Sequence, residues 1–176
     1  MSHRGWTRAA ALRTAATVVG VALAGSIAFA QNVKSIGTFS SWTAFTHGEG
    51  TSLLCFATAQ PTKQEPAGAK RSPAFIYVSS WPKDGVKAEV SVRVGYPLKG
   101  GSEVTLSVGN TSFKLFVHND RAYIADAGDE LKLLDVMRKG STMTVVGTSE
   151  RGTTTTDTYS LAGISQALQA VTTNCK

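Results

Sequence analysis

With 176 residues, of which 42% are hydrophobic and 17% charged, the chain has the composition of an ordinary folded protein and the length of one domain, not two. Its 18 Lys+Arg against 12 Asp+Glu give a formal charge of +6. The cations are scattered, at Lys83, Lys87, Arg93, Lys99, Lys114, Arg138 and Lys139 among others, which excludes the dense basic stripe of a nucleic-acid binder.

Residues 1–30 differ from all that follow. Arg4, Arg8 and Arg13 form a positive start, residues 15–29 are rich in Ala, Val and Gly, and Ala28-Phe29-Ala30 offers the small-x-small pattern that signal peptidase accepts. A signal peptide over 1–30, cut before Gln31, is therefore expected, with no stable membrane span after cleavage, because the apolar stretch falls short of the roughly 20 strongly apolar residues of a spanning helix. Removing it takes three of the 18 basic residues and none of the 12 acidic ones, so the charge falls from +6 to +3. A periplasmic, outer-membrane-associated or secreted product follows, with residues 31–176 as a single domain.

After Gln31, short alternating stretches separated by turn residues predict an antiparallel, mostly β domain. Strands are expected at 41–45, 53–58, 75–79, 89–94, 104–108, 111–115, 121–125, 142–148 and 158–161. In 89–94, Val90, Val92 and Val94 share one face and Glu89, Ser91 and Arg93 the other, the first facing a core and the second water. Gly109-Asn110 is a two-residue hairpin turn that sets Val108 opposite Thr111, Leu106 opposite Phe113 and Val104 opposite Leu115. Residues 60–73, with three prolines and the charges Lys63, Glu65, Lys70 and Arg71, read as a solvated loop. Residues 150–153 read as the turn of another hairpin.

Two short helices interrupt the strands. Asp126 or Asp129 can cap the first, whose Leu131, Leu134 and Met137 recur every third residue before Gly140 stops it. The second runs over about 163–172, and its Ile164, Leu168 and Val171 form one apolar stripe that carries Cys175 back to the core. Cys55 and Cys175 are the only cysteines. Neither has C-x-x-C spacing or histidine neighbours, and export places them where disulfides persist, so they are expected to bond to each other.

Chemistry is sparse. Past residue 30 only His47 and His118 remain, both in stretches that read as loops or turns. An exported hydrolase pairing one of them with a serine is the alternative to a non-enzymatic protein, but no G-x-S-x-G elbow supports it. Asp126, Asp129 and Glu130 lack the spacing of a calcium loop and suit a helix start, and Gly95-Tyr96-Pro97 lacks a phosphate-loop context. No metal or cofactor is expected. Trp42, Phe45, Tyr77, Trp81 and Tyr96 lie near strand ends, where aromatic residues either pack inward or anchor a partner. Trp42, Trp81 and Tyr96 are the candidate contacts.

Trp42, Cys55-Phe56, Arg71-Ser72-Pro73, Gly95-Tyr96-Pro97, the Gly-Thr-Ser-x-Arg-Gly-Thr run at 147–153, Tyr159-Ser160-Leu161 and the terminal Cys175 follow one another in this order. The pattern resembles the invasion-associated locus B family, with Gly163-Ile164-Ser165 where relatives carry Gly-Phe-Ser. The resemblance implies an immunoglobulin-like antiparallel β-sandwich with two short helices in a Gram-negative envelope. It implies no established catalytic residues; export, a stapled sandwich and the lack of a site lead to the expectation of a non-enzymatic binding protein with an envelope or host protein or glycan as partner, or else a purely structural envelope component. The family name links it to host-cell invasion.

Overall fold

Period-2 sequence becomes strand wherever one parity of side chains can be buried, and the computed structural model, which describes residues 33–176, has eleven strands, most of them of this kind. The expected signal segment lies outside the described residues. In chain order the elements are β1 (Val33–Phe39), β2 (Trp42–His47), β3 (Leu54–Ala59), β4 (Lys63–Glu65), β5 (Phe75–Trp81), β6 (Val86–Arg93), β7 (Val104–Val108), β8 (Thr111–His118), β9 (Arg121–Tyr123), α1 (Ala127–Lys139), β10 (Thr142–Thr148), β11 (Thr154–Ser160) and α2 (Ile164–Asn174). Every pairing is antiparallel, in the order β1-β2-β3-β5-β6-β9-β8-β7-β10-β11-β4.

The two layers of the sandwich belong to one continuous sheet. Residues 111–115 of β8 pair with β7, and residues 116–118 pair with β9, so this strand passes from one layer into the other. The Gly109-Asn110 hairpin has the expected register, Val104 to Leu115, Leu106 to Phe113 and Val108 to Thr111. Ser107 and Ser112 share a 2.8 Å hydrogen bond on its wet face.

Between the layers, Ala44, Ala57, Val78, Val90 and Val92 face Leu106, Leu115, Met143, Val145 and Tyr159 in a single core. Both helices close it. Asp126 caps α1, its carboxylate accepting from the Asp129 amide at 2.9 Å. Leu133, Leu134 and Met137 of α1 and Ile164, Ala167, Leu168 and Val171 of α2 are buried. The α1 stripe differs from the every-third reading: at 3.6 residues per turn, Leu133 turns inward and Leu131 is left 69% exposed. Cys55 and Cys175 are bonded with Cα atoms 5.8 Å apart, across 120 residues, tying the end of α2 to β3.

Three other expectations are corrected. β1 and β4 were not anticipated, because both are largely exposed edge strands without an alternating apolar parity. The outer face of β6 is not simply wet, since Ser91 is buried beneath neighbouring aromatic side chains, and Val86 to Ala88 extend the strand backward. Residues 60–73 are not a uniformly solvated loop: β4 pairs with β11, and Arg71 is buried.

Candidate functional site

The outer face of the β1-β2-β3-β5-β6-β9 layer carries an aromatic band. Register explains it: Phe45 pairs with Phe56, Ser91 with both Tyr77 and Tyr123, and Phe116 with Tyr123, so all these side chains have the outward parity. Phe45 stacks on Phe56 at 5.2 Å and Phe116 on Tyr123 at 5.4 Å between ring centroids. Phe56 meets Tyr77 edge-on at 6.1 Å, and Phe75 lies 5.8 Å from Tyr77. Such pairs stabilise a sheet by roughly 0.5–1.5 kcal/mol each beyond area burial. They also leave aromatic surface in water, because Phe116 is 51% exposed and the other rings are half-buried.

A shallow cavity of about 350 Å³ opens in this face, lined by Phe56, Tyr77, Trp81 and Tyr123 with Glu89 and Arg121. The Arg121 guanidinium sits 5.4 Å from the Tyr77 ring centroid, a cation–π contact. Burial pushes the Glu89 carboxyl above the usual carboxylate range, and the Arg121 charge opposes that rise. Beside it Arg93 is paired with Asp120 at 2.7 Å. The cavity thus offers flat apolar walls, one carboxyl group and one guanidinium, a set able to stack on a ring and hydrogen-bond its substituents.

Of the three aromatic candidates, Trp81 lines this cavity. Trp42 does not: it is fully buried, and its indole N–H donates to the Ser160 carbonyl at 3.0 Å, bridging β2 and β11. A side chain closed inside the core cannot meet a partner. Tyr96 is half-buried, lies against Arg71 at 5.8 Å and shares a 2.5 Å hydrogen bond with the Thr155 hydroxyl, so it too is turned toward the interior. Phe56, Phe116, Tyr123 and Arg121 were missed in the sequence, although Phe56 could have been found from its parity opposite Cys55 and Ala57.

Tyr96 belongs instead to a buried polar group. Arg71 donates through both terminal nitrogens to the two Asp157 oxygens, one at 2.9 Å, and also to the Val94 carbonyl at 3.2 Å. The side chains are 5% and 1% exposed. Tyr159 adjoins the group; its hydroxyl has no hydrogen-bond partner among the described residues, and burial pushes its ionisation well above that of an ordinary tyrosine, with Asp157 adding to the effect. Gly95, at φ +81°, brings its own carbonyl within 2.9 Å of the Ser72 amide, and a Cβ there would lie 2.0 Å from the Ser72 oxygen. Arg71-Ser72-Pro73 and Gly95-Tyr96-Pro97 are thus one structural unit that anchors the 60–73 segment.

The histidines end strands and do not sit in loops. His47 closes β2 half-buried and His118 closes β8 exposed. Neither hydrogen-bonds a serine hydroxyl among the described residues. No group of three metal-ligating side chains occurs among them either.

Among solved structures, the crystal structure of invasion associated protein B from Bartonella henselae matches with a TM-score of 0.55 at 17% identity, over 77% of this chain and 94% of that one. At that identity the likeness speaks for the fold. No curated protein matches. The sequence itself matches the family described as invasion associated locus B (IalB) protein over residues 42–172, from the bridging Trp42 to the last turns of α2. The chain is a member of the IalB family.

Proposed function

We propose that this protein is an exported, non-enzymatic interaction protein of the cell envelope that engages a protein or glycan partner through the outer aromatic face. The observation that carries the reading is the band itself: Phe45, Phe56, Tyr77, Tyr123 and Phe116 lie side by side on a surface bordered by Arg121 and Glu89. Aromatic residues are the usual energetic centres of interfaces, and contiguous apolar surface on a small domain marks contact. Export is supported by the segment over 1–30 and by the Cys55–Cys175 bond, which suits an oxidising compartment. No helix of the described residues is long and apolar enough to cross a membrane. The link to host-cell invasion comes from the names of the relatives.

The test is affinity capture from envelope and host-membrane fractions, with the exported protein and its Phe116→Ser/Tyr123→Ser variant as parallel baits. Enrichment lost in the variant, with its melting temperature within a few degrees of the parent, is the expected result. Pretreating the fractions with periodate separates glycan from protein partners. Capture that is equal for both baits, or absent for both, overturns the proposal.

A further inference from the structure

A second concavity lies on the other side of the same layer, where α1 and α2 part over β5. It has a volume of about 460 Å³, and its floor is the core itself: Val78, Leu134, Leu168 and Val171, each at most 7% exposed. Leu131 stands at its edge, 69% exposed on a helix whose neighbouring positions are Glu130 and Lys132. Leaving a leucine so far in water on a charged helix face has a cost, which is recovered if an apolar ligand lies against it.

The cleft is also charged in one sense. Lys87 and Arg138 line it, and neither is paired with a carboxylate among the described residues. The acids of α1 are engaged elsewhere: Glu130 accepts from the Val90 amide at 2.6 Å, Asp135 holds Lys139 at 2.6 Å and Asp129 holds Lys132 at 3.0 Å. Apolar depth with two unspent cations calls for an occupant with a hydrocarbon body and an anionic end. The volume falls within the roughly 300–1,000 Å³ typical of small-molecule sites. At roughly 30 Å³ per water-sized group it holds about fifteen such groups, enough for one acyl chain and too few for two.

We propose that this cleft binds a free medium-chain fatty acid, its chain against Leu131, Leu134, Leu168 and Val171 and its carboxylate at Lys87 and Arg138. This site is separate from the outer aromatic face and does not depend on it. The experiment is calorimetric titration of the exported protein with laurate, with dodecyltrimethylammonium of the same chain length, with acetate, and with vesicles of phosphatidylglycerol, the detergents kept below micelle formation. Laurate is expected to bind saturably at one per chain, about tenfold or more tighter than the cationic amphiphile, as a charge-assisted contact to the head group requires. Acetate and vesicles are expected to give no saturable heat. Lys87→Gln/Arg138→Gln should erase the head-group preference, and Leu131→Glu should weaken laurate by about tenfold or more, with unchanged melting temperatures in the absence of ligand. Equal affinity for the two head groups, binding to vesicles but not laurate, or laurate binding indifferent to all three substitutions would overturn the site. So would an acidic amphipathic peptide that binds there while laurate does not.

Discussion

Arg71 and Asp157 are joined by two parallel N–H···O hydrogen bonds inside the protein, 86 residues apart in sequence and almost wholly removed from water. Removing one member leaves the other charge buried and uncompensated. Arg71→Ala should therefore lower the unfolding free energy by about 3–5 kcal/mol, whereas Arg71→Met with Asp157→Leu should cost much less, because no bare charge remains. Urea unfolding of the two variants checks the difference; equal losses would refute it.

Tyr159 carries a hydroxyl that is buried without a partner. Tyr159→Phe should raise stability at pH 7 by up to about 1–3 kcal/mol, the desolvation cost of an unsatisfied group. The same residue predicts an alkaline effect. Its ionisation lies above the ordinary value of 10.0 in the folded state, so the folded protein keeps a proton that the unfolded chain releases. Stability from this source is intact below pH 10 and falls as the pH rises beyond it. Melting curves between pH 7 and 11.5 should show a shallower decline for Tyr159→Phe than for the parent.

Gly163 and Gly152 both have positive φ, +92° and +83°, but their surroundings differ. A Cβ at Gly163 would lie 1.8 Å from the Phe39 carbonyl oxygen, whereas at Gly152 it would meet nothing within 4 Å. Gly152→Ala should cost about 1–3 kcal/mol for backbone conformation alone. Gly163→Ala must also push α2 away from β1, and its melting temperature should fall clearly below that of Gly152→Ala.

Cys55→Ser or Cys175→Ser should destabilise by about 2–5 kcal/mol, the range for removing a native bridge. Amide exchange should quicken first in α2, since the residue that caps its C-terminal end is held by the bond. Exchange that quickens uniformly over the strands would count against this anchoring role.

Much of the fold was legible because two-residue turns leave little freedom: once Gly109 and Asn110 are placed, the register of Val104, Leu106 and Val108 follows. Edge strands escape such reading. β4, Lys63-Gln64-Glu65, has no apolar residue, and only the neighbouring β11 makes it a strand. A spacing of three points Leu131 inward, but the helix turns every 3.6 residues and leaves it in water. The same limit governs the site. Trp42, Trp81 and Tyr96 look alike in sequence, and only the parity of each position and the far partner, Ser160 for Trp42 and Thr155 for Tyr96, separates interior from surface. Arg71 looked solvated because its acid lies on β11, near the other end of the chain.

The position of α2 has a consequence for the order of synthesis. β1, β2 and β3 are made well before α2, yet the inner faces they share are covered by that helix, and their covalent tie is to Cys175, 120 residues beyond Cys55. A nascent chain therefore lacks the helical cover over these strands until α2 has been made, and the sheet stays open on that side until then. A protein assembled this way stays threadable until α2 has emerged and docked.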